Sequence, residues 1–299
     1  MPRELDETVD VAVEADPKSS VFFAPLARPL PLTVHGATHA GRVRSENQDH
    51  FLVARRIRSQ QILCTSLPLD ETTAHEQESY TLLVADGVAG TTIGELASRM
   101  VALKIWELSW QATSWLMRLG ESTSNEPHRR IQRYADELQQ MFEDYAAIAG
   151  PNVSLGTTCT CAAIMNQDVV IAHIGDCRTY LLRDGRLQQM TRDHTVEQAL
   201  LDAGQNTAEA RVCQHVLTRA LGTEGHDSRL DVIVAQVRSG DRLLLCSDGL
   251  TREVPDDEIG RQLGSHDSAQ AVCERLIALA LDRGGRDNIT AIVAKFGEP

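Results

Sequence analysis

No apolar run in this 299-residue chain is long enough to span a bilayer, and Met1 to Ser20 is acidic where a secretory signal would be basic and then apolar. A soluble, cytoplasmic protein without membrane contact is therefore expected. Positive charge is also in short supply. Against 42 Asp and Glu there are 29 Lys and Arg, a formal charge of -13 that would repel a nucleic-acid backbone and argues against such a partner. The seven cysteines, at Cys64, Cys159, Cys161, Cys177, Cys213, Cys246 and Cys273, lack the paired spacing of a zinc site and read mostly as reduced core residues. Cys159 and Cys161, the one close pair, fall in an alternating run that places both thiols on one strand face. No internal repeat is evident. What the chain has is apolar content, 42% of residues, ample for a core in one large domain or two small ones.

The most informative stretch is Thr81-Leu82-Leu83-Val84-Ala85-Asp86-Gly87-Val88-Ala89-Gly90. Its apolar run, bounded by turn residues, predicts a strand covered on both faces that delivers a carboxylate at its end. Gly87 permits the chain to turn a carbonyl toward whatever Asp86 holds. Thr92 and Glu95 then form a capping box that starts a helix. The same arrangement returns as Leu243-Leu244-Leu245-Cys246-Ser247-Asp248-Gly249.

Residues 1–30 are acidic, then proline-spotted and without period, which predicts a disordered tail ahead of a single domain over 31–299. A strand over Leu32 to Ala37 and another from His50 flank the polar stretch Gly41 to Asp49, whose simplest reading is a hairpin turn. Thr65 to Ser79 has no apolar period and reads as a loop. Helical spacing runs from Ile93 past Leu108, and again from Ile131 to Tyr145, with Trp106, Trp110 and Trp115 assigned to a buried helix face. Thr157 to Ile164, Asp168 to Ile174 and Arg178 to Arg183 then predict an antiparallel meander, the last strand ending in an Asp184-Gly185 hairpin turn. A short helix over Val196 to Ala203, two strands near Val232 and Arg242, helices begun by Pro255 and capped at Asp267, and a final strand from Ile289 complete the chain. Strands bracketed by two helix groups give an α+β fold, a four-layer αββα sandwich of two antiparallel sheets flanked by helix pairs, because each sheet must bury both faces.

Asp49, Asp86, Asp176, Asp248 and Asp287 each border an apolar strand. Taken singly, such an acid is an ordinary turn-former or cap. Gathered in one cleft, the five would repel unless protonated or neutralised by cations, and hard divalent ions such as Mn²⁺ or Mg²⁺ suit an all-oxygen site. Two ions sharing a carboxylate can hold a hydroxide between them and drive in-line displacement at phosphorus. Arg44 fits the same chemistry, since a guanidinium binds two phosphate oxygens at once.

Eight segments carry a resemblance to a known family. They are Arg44-Ser45-Glu46-Asn47-Gln48-Asp49, Val84 to Gly90, Gly156-Thr157-Thr158, Gly175-Asp176-Cys177-Arg178, Thr191-Arg192-Asp193-His194, Leu217 to Gly222, Ser247-Asp248-Gly249-Leu250, and Gly285-Arg286-Asp287-Asn288-Ile289-Thr290. In this order they resemble the PPM-type (type 2C) metal-dependent protein serine/threonine phosphatases, in particular the bacterial branch. The resemblance implies a monomeric enzyme acting on phosphorylated proteins and opposing a cognate serine/threonine kinase system. It also implies that Asp86 bridges two Mn²⁺ or Mg²⁺ ions, with the Gly87 carbonyl completing one, Asp248 and Asp287 holding the other, and Asp49 reaching metal through water. By the same resemblance Asp176 joins Asp248 at a third, weaker ion, Arg44 clamps the phosphate, and Gln205 to Gln214 form a variable flap. Gln48 stands where some members have Glu, Val88-Ala89 replaces Met-Gly, and Cys177 replaces Ser. A catalytically weak phosphoprotein-binding module of the same fold, and a phosphoesterase for small molecules, are the alternatives.

Overall fold

The computed structural model describes residues 30–64, 66, 75–88, 93–116, 126–150, 153–205, 212–213, 215–223 and 227–297. Among these residues ten strands form two five-stranded antiparallel sheets. One contains β1 (Leu32–His39), β10 (Ile289–Phe296), β9 (Arg242–Cys246), β6 (Arg178–Arg183) and β7 (Arg186–Gln189), in that spatial order. The other contains β2 (Asp49–Gln60), β3 (His75–Gly87), β4 (Thr157–Met165), β5 (Asp168–Ile174) and β8 (Asp231–Gln236). Helices α1 (Gly94–Leu116) and α2 (Glu126–Ala149) belong to the second sheet. On the first lie α4 (Asp248–Thr251), α5 (Asp256–Leu263) and α6 (Ala269–Asp282), while α3 (Val196–Asp202) follows β7.

Strand alternation builds the layers. On β3, Leu82 and Val84 face the other sheet, where they share a core with Leu243, Leu245, Ile292, Ala294 and Phe296. Leu83 and Ala85 face α1 and α2, meeting Ala97, Val101, Leu138 and Phe142. Beneath the opposite helices, Leu244, Cys246, Ala291 and Val293 pack with Leu276 and Ile277. The expected four-layer α+β sandwich is thus the observed fold, and unbroken apolar strands are what a sheet covered on both faces requires. Among the described residues no helix is long and apolar enough to cross a membrane.

Several local expectations are corrected. The segment 41–48 is not a hairpin turn, because β1 and β2 lie in different sheets. The meander likewise breaks after β5: β4 and β5 pair, but β6 leaves to pair with β9 and β7. Strand β3 begins at His75, inside the stretch read as a loop. Trp106 and Trp110 are 57% and 71% exposed rather than core, Arg56 stacking over Trp110 with its guanidinium carbon 4.1 Å from the ring centre. The cap of α6 is Ser268, whose side chain accepts from the Ala271 N–H, one residue beyond Asp267. The Asp184-Gly185 turn holds, with both residues at positive φ as a type I′ hairpin demands. Residues 1–29, Trp115's side chain, Ala89, Thr92 and most of the expected flap lie outside the described residues. Leu30 packs against the inter-sheet core.

Candidate active site

All five acids occupy one end of the sandwich, where strand ends of both sheets meet. Asp49 opens β2 and stands directly opposite Asp86 at the end of β3 in the antiparallel register. Asp176 lies in the crossing from β5 to β6, Asp248 opens α4 after β9, and Asp287 precedes β10. A cleft of about 450 Å³ is lined by Arg44, Asp176, His215, Asp248, Arg252 and Asp287, among others.

Asp49 ties the two sheets together. Its Oδ2 accepts from Ser247 Oγ at 2.7 Å and from Thr290 Oγ1 at 2.6 Å, both on the other sheet's strand ends. Thr290 Oγ1, having donated its proton, accepts from Thr38 Oγ1 at 2.7 Å, which in turn accepts from Asn47 Nδ2 at 2.9 Å. Asn288 secures the loop that carries Arg44: its Nδ2 donates to the carbonyls of Ala40 and Glu46, and its Oδ1 accepts from the Gln48 N–H. Gly87 is required by the start of α1, since a Cβ there would sit 2.6 Å from the Gly94 carbonyl oxygen. Thr157 Oγ1 fixes the Asp86 carbonyl at 2.7 Å.

Electrostatics in the cluster are unfavourable to so many anions. Burial, and then the charges of Asp49, Asp248, Asp176 and Asp287, hold the Asp86 carboxyl well above the usual range. Asp49, only 3% exposed, is pushed up to about 6, chiefly by burial. Burial followed by Asp248 raises Asp176, and burial raises Asp248 against the opposing pull of Arg252. Two guanidinium groups enter from the rim. Arg44 Nη2 donates to Asp287 Oδ2 at 2.9 Å, which raises the arginine's own pKa. Arg252 reaches the same oxygen at 3.1 Å, lies 3.7 Å from Asp176 and pairs with Asp248.

As the side chains are placed, no three acidic, histidine or cysteine groups among the described residues stand close enough to share one cation. Asp49 is drawn to two hydroxyls, and Asp248 and Asp287 are drawn to guanidinium groups. Two observations nonetheless fit a divalent cation. Asp49 Oδ1 and Asp248 Oδ1 are buried without any hydrogen-bond partner, and the donors facing one another are all oxygen.

Arg252 and His215 were missed from sequence. Arg252 is readable in hindsight, being four residues after Asp248, the spacing that brings side chains together on a helical turn. His215 carries no local signal; only the fold brings it to the cleft. The place of Asp176 at the end of an apolar strand, two residues before Arg178, would suit an exposed sheet edge with Arg178 as its basic neighbour. Instead it is 8% exposed, and Arg178 is held by Asp193 through a bidentate pair, with Nε–Oδ1 at 3.0 Å and Nη2–Oδ2 at 2.7 Å. Cys177 is buried, its Sγ 3.3 Å from Thr158 Oγ1.

A second polar cluster lies behind the cleft. His173 is fully buried, donates Nε2–H to the Arg192 carbonyl at 3.0 Å, and leaves Nδ1 unpartnered. Burial first, then His194, depresses its pKa to about 4. The unfolded chain, with histidine near 6.5, therefore binds a proton between pH 6.5 and 4 that the native state refuses. Stability contributed by the neutral ring is complete above pH 6.5 and falls as pH drops through this window, by about 3 kcal/mol in all. The check is the pH dependence of the melting temperature in the wild type against His173→Asn, a difference in which the acid cluster cancels. Identical slopes would show that His173 does not titrate in this range.

The family model for protein phosphatase 2C matches residues 38–289. A serine/threonine phosphatase, stp, of Listeria welshimeri is 32% identical over 261 residues, 86% of this chain and 93% of that protein. Protein phosphatase PhpP of Streptococcus pneumoniae is 31% identical over 224 residues, 73% of this chain and 86% of that one. Among solved structures, the catalytic domain of the serine/threonine protein phosphatase PstP in complex with two manganese ions superposes with a TM-score of 0.68 at 30% identity, covering 90% of this chain and 100% of that chain. With the sandwich, the strand-end acids and these likenesses together, the chain belongs to the protein phosphatase 2C family, as a phosphatase of the bacterial PPM type.

Proposed function

We propose that this phosphatase hydrolyses phosphoserine and phosphothreonine in proteins, opposing serine/threonine kinases as a cytoplasmic monomer, and that it depends on Mn²⁺ or Mg²⁺. The observation that carries the reading is the convergence of five strand-end carboxylates, two of them with buried, unpartnered oxygens, beside Arg44. Asp86 with the Gly87 carbonyl, Asp248 and Asp287 are the residues to hold two ions, Asp49 supports them, and Asp176 with Asp248 suits a third. When bound, such cations supply an activated water and neutralise charge on the phosphoryl oxygens.

The chain's own groups do the rest. Arg44, at the mouth of the cleft and half-exposed, is free to turn from Asp287 to two phosphate oxygens and orient them. Ser247 and Thr290 keep Asp49 fixed while its second oxygen faces the cluster. The open cleft, with residues of several loops at its rim, admits a side chain carried on a protein.

The test is hydrolysis of a phosphothreonine peptide and of a phosphorylated metabolite, each with Mn²⁺ and with chelator. Peptide turnover that needs the ion and stops with chelator is expected. Turnover undiminished after chelation would overturn the metal assignment. Preference for the metabolite would make the chain a small-molecule phosphoesterase, and ion binding without turnover would make it a phosphoprotein-binding module.

A further inference from the structure

Gly175 marks the point where the chain leaves one sheet for the other. Its φ is +95°, and a Cβ would lie 2.2 Å from the Thr158 side chain, so the backbone is pressed against β4 in a conformation only glycine takes without strain. Asp176 follows at once. Nothing in the sheet ladders holds this crossing, because β5 ends at Ile174 and β6 begins at Arg178.

One residue holds it from both sides. The His194 backbone N–H donates to the Gly175 carbonyl at 2.7 Å, and the Gly175 N–H donates to His194 Nδ1 at 3.0 Å. Since Nδ1 accepts from Gly175, the ring proton of the neutral imidazole belongs on Nε2, which faces Asp231 Oδ2 at 3.0 Å at the start of β8 and also has the Arg219 Nη1 donor 2.5 Å away. Asp231 Oδ1 accepts from Arg219 Nη1 at 2.8 Å, and the His194 carbonyl accepts from the Thr218 N–H at 2.9 Å. The imidazole is 7% exposed and sits against His173, ring centres 4.8 Å apart. With partners at both ring nitrogens it is held in one orientation, as an outer partner that aims a functional group must be.

We propose that His194 is a positioning residue for the phosphatase reaction: through Nδ1 it fixes the Gly175 peptide and so aims the Asp176 carboxylate into the acid cluster. The catalytic part of this inference rests on the function proposed above; the geometric part does not. A purely architectural role, linking the crossing to β8 through Asp231, is the rival.

Two substitutions separate them. In His194→Asn the amide oxygen branches from Cγ as Nδ1 does, so the bond from Gly175 is kept and the one to Asp231 is lost. In His194→Gln the terminal amide reaches toward Asp231 and the acceptor for Gly175 is lost. On a phosphopeptide with Mn²⁺, His194→Gln is expected to lose roughly 10-fold to 100-fold in kcat with KM little changed, and His194→Asn to stay within a few-fold of wild type. In the Asp176→Ala background, His194→Gln is expected to cost nothing further, because the two act as a unit. Equal losses in both variants, losses that follow melting temperature alone, or additive losses with Asp176→Ala would overturn the proposal.

Two readouts need no activity, so failure of the phosphatase reading leaves them valid. The Gly175 amide is expected to exchange slowly with solvent in wild type and His194→Asn and faster in His194→Gln. Should neither variant fold, the ¹⁵N shifts of His194 in the wild type decide: an unprotonated Nδ1 with a protonated Nε2 supports the brace, and the opposite tautomer overturns it.

Discussion

Asp86→Asn is expected to lower turnover by roughly 10³-fold or more, about 4 kcal/mol of barrier, while leaving the fold intact. The change keeps shape and removes charge, so it isolates what the carboxylate does. Asp86 lies within the field of Asp49, Asp248, Asp176 and Asp287, which makes it the acid shared by the whole cluster. Calorimetric Mn²⁺ titration should show lost binding for Asp86→Asn and for Asp287→Asn. In contrast, Arg44→Ala should bind Mn²⁺ nearly normally and show weaker substrate binding and weaker inhibition by inorganic phosphate. Because burial and like charges disfavour the ionised form of Asp86, the asparagine variant should melt in chelator at the wild-type temperature or above it. A large fall in melting temperature would mean that Asp86 is a structural residue, and intact Mn²⁺ binding would mean that it is not a ligand.

The second large effect is expected at Asp176. Asp176→Ala should keep the tight Mn²⁺ sites and fold normally, yet lose roughly 10²-fold or more in kcat, the scale of a lost acid–base contribution. A structural alternative would be an Asp176–Arg178 ion pair that closes a turn. Arg178, however, spends its guanidinium on Asp193 and the Tyr180 hydroxyl, so there is no such pair to break. Asp176 is buried, raised by burial and by Asp248, and Arg252 is the cation that stands near it among the described residues, at 3.7 Å. A buried acid in so poor an environment for stability is retained for function more readily than for folding. Turnover within a few-fold of wild type at saturating Mn²⁺ would reject the role, and a matching loss of stability would show that the carboxylate is structural after all.

The sequence by itself determined the layers and the acids. Runs such as Leu82 to Ala85 and Leu243 to Cys246 are apolar at every position, which only a strand covered on both faces tolerates, and each stops on Asp-Gly or Ser-Asp-Gly. Local chemistry also determined the Asp184-Gly185 hairpin and the presence of both long helices, though the second begins at Glu126, ahead of the apolar period that starts at Ile131. Tertiary structure decided which strand joins which sheet. Period-2 alternation states which face a side chain takes and is silent on the neighbouring strand, so the break between β5 and β6, and with it the setting of Asp176, was invisible. The partners of polar side chains were hidden for a related reason. Asn288 meets Gln48 and Ser247 meets Asp49 across some two hundred residues of chain, and Arg252 rather than Arg178 faces Asp176. Trp106 and Trp110 sit at helical spacing with the core residues of α1 yet lie outside it, because the width of a buried helix face is set by what packs against it.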